Sequence, residues 1–251
     1  MLTATPWYFL PQFRPARLQD CVLWLESDSF NGGIWRNLAP NYSYTNHGTT
    51  FGGVGLSSWH PHFPPAPVFY GVGERVDCGT DQSLRPQTLT WELWFKRNSP
   101  TDDDYDELLR NSYYKNRIII DNTNGYLYFE LVDIDDGAHW CVSYVTPEDY
   151  VLYHVAGTYD GAYQKIYVNG EFRNSIYVGK EILYKSGPLT VGYGALSRAF
   201  NGIIPLVRIY KAALTPAEVV HNYTHHPLYY LQRGIDPYEV IAAATAAAPS
   251  I

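Results

Sequence analysis

Apolar and polar positions alternate along most of the chain with the two-residue period of half-buried β-strands. The clearest case is TLTWELWF at 88–95, with Leu89, Trp91, Leu93 and Phe95 on one face and Thr90, Glu92 and Trp94 on the other. CVLWL at 21–25 is a short apolar run, and a polar, Gly-rich stretch holding SFNGG and NYSYTNHGTTFGG follows it. RIIID (117–121) and YLYFELVD (126–133) are separated by NTNG, whose Asn-Gly signals a hairpin. WCVSYV, LYHVAGTY, QKIYVNGE, SIYVG, PLTVGYG and GIIPLVRIY come next at short spacing. Asp160-Gly161 and Asn169-Gly170 offer positive-φ positions for two more hairpin ends. Short strands divided by Gly, Asn and Asp turns predict an all-β, antiparallel two-sheet sandwich and not βαβ units.

One short C-terminal helix is expected in LTPAEVVHNYTHH at 214–226. Thr215 is its N-cap, Pro216 fills the first turn, Glu218 completes a capping box, and the helix should stop before Pro227. WHPHFPPAP (59–67) reads as a loop outside any ladder, because proline has no N–H to donate. Pro205, inside the last strand, predicts an edge or a bulge. The pattern divides the chain into an N-terminal arm (1–19), one domain (20–227) and a C-terminal extension (228–251) with an Ala-rich tail. That tail is too short to be a stable isolated helix, which leaves docking on the body, docking on a partner, or disorder. Val240, Ile241 and Ile251 are its candidate interface residues.

Composition adds chemistry to this picture. Twenty-three Tyr and 7 Trp suit pleated, half-buried surfaces and bring polar handles to a binding face. A net charge of −7 with no basic run lacks the electropositive patch that nucleic acid demands. Cys21, Cys78 and Cys141 have no C-x-x-C spacing, which excludes a zinc knuckle and a dense disulfide framework. Three buried thiols remain, or one bridge and a free thiol. The first residues do not resemble a signal peptide and no apolar run could span a bilayer, so synthesis in the cytosol is expected, with another route out if the protein acts outside a cell. A single Met with many Tyr and Pro hints at a thermophilic source.

Several motifs resemble laminin-G-like, concanavalin A-like jelly rolls. CVLWLESDS with the Asn-His-Gly-Thr at 46–49 is similar to the family's opening, and VFYGVGERVDCGTDQSL (68–84) to a strand pair that follows. TLTWELWFK (88–96) resembles its tryptophan strand. YHVAGTYDGAYQKIYVNGEF (153–172) resembles its central hairpin, with Tyr153 where tryptophan usually stands. FNGIIPLVRIYKAALTPAEVVHNY (200–223) resembles its closing run, with Pro205-Leu206 replacing Asp-Glu and so removing two carboxylates. The resemblance covers about residues 20–227 and implies a jelly-roll sandwich.

It also frames the candidate chemistries. Laminarinase-like glycoside hydrolases share this sandwich and need paired carboxylates on one strand face. No E-x-D-x-x-E occurs: Glu92 is alone in its strand, and Asp106 and Glu107 are adjacent, hence on opposite faces. There is no G-x-S-x-G, and Cys141 has only His139 near it, so no enzyme is expected. His60, His62, His225 and His226 find no zinc partner at a recognised spacing. No cofactor is required, but the resemblance raises calcium, for which Asp102, Asp103 and Asp104 or Asp133, Asp135 and Asp136 could each supply two or three oxygens. A solvated acidic loop is the plainer reading. Arg208 among apolar residues reads as a structural ion pair. The resemblance makes sugar binding a leading activity, with Trp59, Tyr70, Tyr113, Tyr114 and Tyr193 in loop-like contexts as candidate platform residues.

Two functions follow as expectations. One is a structural component of a virion, a capsid decoration or tail-associated protein, since short chains with HHPLYYL-like endings resemble phage and viral members of the family. The other is a cellular lectin-like module. Partners would be other subunits, surface glycans or both, with no nucleic acid and no membrane span.

Overall fold

The computed structural model describes residues 13–61, 63–111, 116–193, 198–237 and 239. β1 (Cys21–Glu26) leads into the two-residue strands β2 (Phe30–Asn31) and β3 (Ile34–Trp35), then β4 (Gly48–Phe51) and β5 (Gly55–Ser57). β6 (Ala66–Tyr70), β7 (Arg75–Asp77), β8 (Leu89–Arg97) and β9 (Tyr105–Asn111) follow. Next come β10 (Arg117–Asp121), β11 (Leu127–Val132), β12 (Ala138–Val142) and β13 (Leu152–Tyr159). β14 (Tyr163–Val168), β15 (Glu171–Tyr177), β16 (Leu189–Val191) and β17 (Asn201–Tyr210) complete the strands, before the helices α1 (Pro216–Thr224) and α2 (Pro227–Gln232).

The strands form two antiparallel sheets, the jelly-roll sandwich expected. The order is β15-β14-β13-β8-β17-β6-β5 in the eight-stranded sheet, with β1 also on β17, and β12-β11-β10-β9-β16-β7-β4-β3-β2 in the nine-stranded one. Leu89, Trp91, Leu93 and Phe95 point between the sheets with Ile118, Ile120, Leu127 and Phe129, all fully buried. The opposite face of β8 carries Thr90, Glu92 and Trp94, as the alternation predicts, and it is buried too because α1 and α2 cover it. Asn169 and Gly170 both take positive φ at the β14–β15 turn. At β10–β11, however, only Gly125 does, because Asp121 closes a longer loop: its carbonyl accepts from Gly125 and its N–H donates to Tyr126.

Four details depart from the sequence reading or refine it. A second helix follows the first, since Pro227 opens a new first turn in which a missing N–H costs nothing. His226 caps it by accepting from the Leu228 N–H. Pro67 does join a ladder, opposite Leu56; β6 pairs there with edge strand β5 alone, and the β17 ladder starts only at Val68. β6 and β7, read from the resemblance as a strand pair, lie in different sheets. Pro205 sits in a central strand, at a bulge where β17 changes neighbours from β6 to β1.

Candidate functional site

The helices lie over the outer face of the eight-stranded sheet, whereas the outer face of the nine-stranded sheet carries half-buried residues at its β11–β12 edge, Tyr128, Trp140 and Val142, beside buried outward ones such as Arg117 and Ile119. Its β9–β12 half is built by simple alternation. Phe129, Leu127 and Cys141 face the core, so Tyr128 and Glu130 on β11, with Trp140 and Val142 on β12, face outward. Arg117 on β10 stands opposite Glu130 and points the same way.

Beneath the rings lies a charged lattice. Arg117 Nε is 2.5 Å from Glu130 Oε2 and its Nη1 is 2.6 Å from Glu107 Oε1. Arg110 reaches Glu107 Oε2 at 3.3 Å, and Arg198 approaches Oε1 at 3.9 Å. Burial works against the Arg117 charge, but Glu130 and Glu107 outweigh it and hold the guanidinium pKa above its ordinary value. The guanidinium sits 4.7 Å from the Tyr105 ring centroid and 5.2 Å from that of Trp140. Arg117 is buried whereas the two rings are only half-buried, so the rings roof it and turn a face to solvent. Arg198 stacks on Tyr105 at 4.8 Å. Tyr128 meets Trp140 edge-on at 5.8 Å, and Asn124 Nδ2 donates to the Tyr128 hydroxyl at 3.0 Å. The result is a rigid aromatic platform with oriented polar groups along its side.

Farther along the same sheet is an open cleft of about 510 Å³ over the paired β4 and β7 and the loops beside them, lined by Asn46, His47, Phe51, Asp77 and Asp81 among others. His47 Nδ1 accepts from the Asn37 N–H, which puts the ring proton on Nε2. Arg75 stacks on Phe51 at 4.5 Å and lies 6.0 Å from the Tyr193 ring.

The residues nominated from sequence scatter. Trp59 packs against Phe63 with Lys96 over its ring, on the helix-covered side of the other sheet. Tyr70 ends β6, and Tyr193 joins Arg75; among the described residues no ring contact links these three. Tyr113 and Tyr114 lie outside the described residues, as do Val240, Ile241 and Ile251. Tyr128 and Trp140 lie on strands and not in loops, and the alternation in YLYFELV and AHWCV puts their rings opposite the core positions, whereas Tyr105 opens β9, YDELLRN, where no clean alternation marks it.

The acidic candidates are engaged with protein groups. Asp133 accepts from the N–H groups of Asp135 and Gly137, and pairs with His139 at 2.8 Å and Lys180 at 3.1 Å. His139 and these donors hold its carboxyl below the usual range. Lys180 also pairs with Asp135, and Lys185 with Asp136. In the other loop, Asp103 and Asp104 offer backbone carbonyls to Asn122, while Asp102 is exposed. Among the described residues no three His, Cys, Asp or Glu side chains converge as metal ligands. His226 bonds Glu26, and His225 lies on His221 and Thr224. Cys21, Cys78 and Cys141 are free and buried, and burial pushes the Cys21 and Cys141 thiols up to about 12. Among the described residues, no helix is long and apolar enough to cross a membrane.

Comparison with known proteins agrees with this architecture. Among solved structures, the binding domain of Paraclostridial Mosquitocidal Protein 1 superposes with a TM-score of 0.65 at 13% identity, covering 82% of this chain and 52% of that one. The receptor binding domain of botulinum neurotoxin D gives 0.61 at 13% identity, covering 82% and 52%. This chain thus spans about half the length of those toxin domains. Domain 4 of an extracellular arabinanase from Geobacillus stearothermophilus, solved in complex with arabinotriose, gives 0.59 at 16% identity, covering 81% of this chain and 98% of that domain. At such identities these likenesses establish the fold. No curated protein matches the sequence significantly. A laminin G family model, described as the concanavalin A-like lectin/glucanases superfamily, matches residues 71–220. With most of the sandwich inside that match and its two sheets in place, the chain belongs to the concanavalin A-like lectin/glucanases superfamily.

Proposed function

We propose that the chain is a non-catalytic carbohydrate-binding module that holds saccharides against the outward face of its nine-stranded sheet. The observation that carries this reading is the platform of Trp140 and Tyr128 over the Arg117–Glu107–Glu130 lattice. Pyranose and furanose rings present apolar C–H faces edged by hydroxyls. A half-buried indole receives such a face, while the Tyr128 hydroxyl, Asn124 and Arg198 are placed to meet the edge. Support also comes from the architecture shared with toxin binding domains and with an arabinanase domain solved with arabinotriose.

The absence of catalysis rests on the state of the carboxylates. Hydrolysis requires one carboxyl poised to donate a proton and another free to attack or activate water. On this face Glu107 and Glu130 both neutralise Arg117. Lys180 and Lys185 already supply cationic partners to the Asp133–Asp136 turn, so calcium should not bind at that turn.

Titrating the protein with a panel of neutral and acidic oligosaccharides, followed by calorimetry, tests this. Binding should appear for at least one class. Trp140→Ala, with its fold checked by circular dichroism, should weaken it more than tenfold, about 1.4 kcal/mol or more. Undiminished binding by that variant would move the site off the platform.

A further inference from the structure

The platform does not end at Trp140 and Tyr128. Beyond them the outward positions of β11 and β12 run to Tyr126 and Tyr144 at the rim of the sandwich, and these two rings meet edge-on with centroids 5.8 Å apart. The pairing ends in a bulge that carries Tyr144: the Ser143 N–H donates to Leu127 O, while the Leu127 N–H donates two residues farther on, to Val145 O. Trp140 and Val142 share the outward side of β12, and the contact with the outward Tyr126 ring places Tyr144 beyond them on that side. At the rise of an extended chain the line from 140 to 144 spans roughly 13 Å, longer than a single sugar ring.

Tyr144 holds its place at a conformational cost. Its φ is 57°, in the left-handed region that bulky L-residues rarely enter, and its side chain is 67% exposed. No burial of the ring accounts for that backbone. The loop that follows it is anchored to the body. Arg97 Nε pairs with Asp149 at 2.6 Å, its Nη2 donates to Pro147 O, and its carbonyl accepts from the Tyr150 N–H. Gly125, beside Tyr126, approaches Thr146 of that loop so closely that a Cβ would lie 2.9 Å from the threonine methyl.

We infer that the Trp140–Tyr128–Tyr126–Tyr144 row is an extended binding track for an internal stretch of a linear saccharide chain, in place of a pocket for one terminal sugar. This rests on the carbohydrate-binding reading above and deepens it. Successive sugar units would lie along the row, the far ones against Tyr126 and Tyr144, where the exposed rim gives the chain a way out.

The test uses linear arabino-, xylo- and gluco-oligosaccharides from mono- to pentasaccharide, titrated into the intact protein and two variants. Tyr144→Gly removes the ring yet suits the left-handed backbone, so the loop keeps its shape. Tyr150→Gly is the control, because Tyr150 has φ 63° and 69% exposure in the same loop but has no place in the row. Affinity should rise more than tenfold from the monosaccharide to the tri- or tetrasaccharide. Tyr144→Gly should erase most of that gain and leave the monosaccharide untouched, while Tyr150→Gly changes neither. Equal affinity at every length, or an equal loss at every length in Tyr144→Gly, overturns the track and leaves the carbohydrate-binding reading standing. No binding of any saccharide overturns both.

Discussion

The core of this sandwich leaves so little room that one glycine sets the spacing between the sheets. Gly157 on β13 faces Phe129 of the opposite sheet, and a Cβ there would lie 2.5 Å from the ring. The ring is fully buried and belongs to the main core cluster, so it has nowhere to go. Gly157→Ala is therefore expected to destabilise the fold by about 1–3 kcal/mol through overpacking, seen as a lower urea midpoint at unchanged slope. A midpoint equal to that of the parent would mean that the sheets can separate at this position. The requirement was hidden in the sequence, where HVAGTY reads only as a strand with a weak residue in it. The outward rings were more accessible to reasoning, since alternation about Leu127, Phe129 and Cys141 places them. What alternation does not reveal is which outward face stays uncovered.

At the level of elements, the helical pair is the feature whose chemistry the sequence showed least. The capping box of Thr215 and Glu218 forms as predicted, but what α1 and α2 cover is a polar cluster. Tyr223 stacks on Trp94 at 5.5 Å, while Asn222 donates to Glu92 Oε2 at 2.9 Å and to the Tyr210 hydroxyl at 3.0 Å. Glu92 also bonds His154 and pairs with Arg208, and His226 of the helix junction bonds Glu26. Arg208 is thus the structural ion pair its surroundings suggested. Burial would raise Glu92, yet Arg208, His154 and Asn222 hold it at about 2. Burial lowers His226 below its usual 6.5 although Glu26 opposes the shift, so the folded ring is neutral. Both shifts have one sign. On acidification the unfolded chain takes up protons, near 6.5 at His226 and near 4.5 at Glu92, that the folded protein refuses. These two groups should cost no stability above about pH 6.5, begin to lower it below that, and lower it further between 4.5 and 2, where Glu92 accounts for on the order of 3 kcal/mol. Asp28, whose carboxyl burial pushes up to about 6, offsets part of the loss between about 6 and its ordinary 3.8. Melting temperatures at pH 7, 5 and 3 measure this, and a constant value across them would refute it. Strand existence was legible where a period of two or an apolar run was long enough, as in β1, β8, β10, β11, β13, β14 and β17, but not in β9 or in the short strands β2 to β5 of the polar, Gly-rich stretch. Strand partnership was not, as β6 and β7 show by crossing between sheets over a short loop.

For the whole molecule, the sandwich has two outer faces with opposite fates. One is closed by helices over buried ion pairs; the other keeps an aromatic row over its own charged lattice. The distinction arises from tertiary packing, and this is why Trp59 and Tyr70 stood as candidates from sequence while the strand aromatics that form the platform did not. The chain approaches and leaves the domain on the helical side: the Ala16 N–H donates to Asn222 of α1 at 2.7 Å, and Phe13 lies against His226. Anything fused ahead of residue 13 or after residue 239 should accordingly leave saccharide affinity unchanged. Immobilising the protein through either end on a sensor surface checks this, and a loss of binding from one end alone would contradict it.

That meeting of arm and helix puts the first described residues at the back and the aromatic row at the front, so a tether at that end would hold the row outward, as a bracket holds a pad. Copies anchored side by side on a surface would all turn their rows to the outside. Tracks too weak to hold a polysaccharide singly would then act in parallel, and adhesion would grow with the density of anchored copies faster than any single-site constant implies.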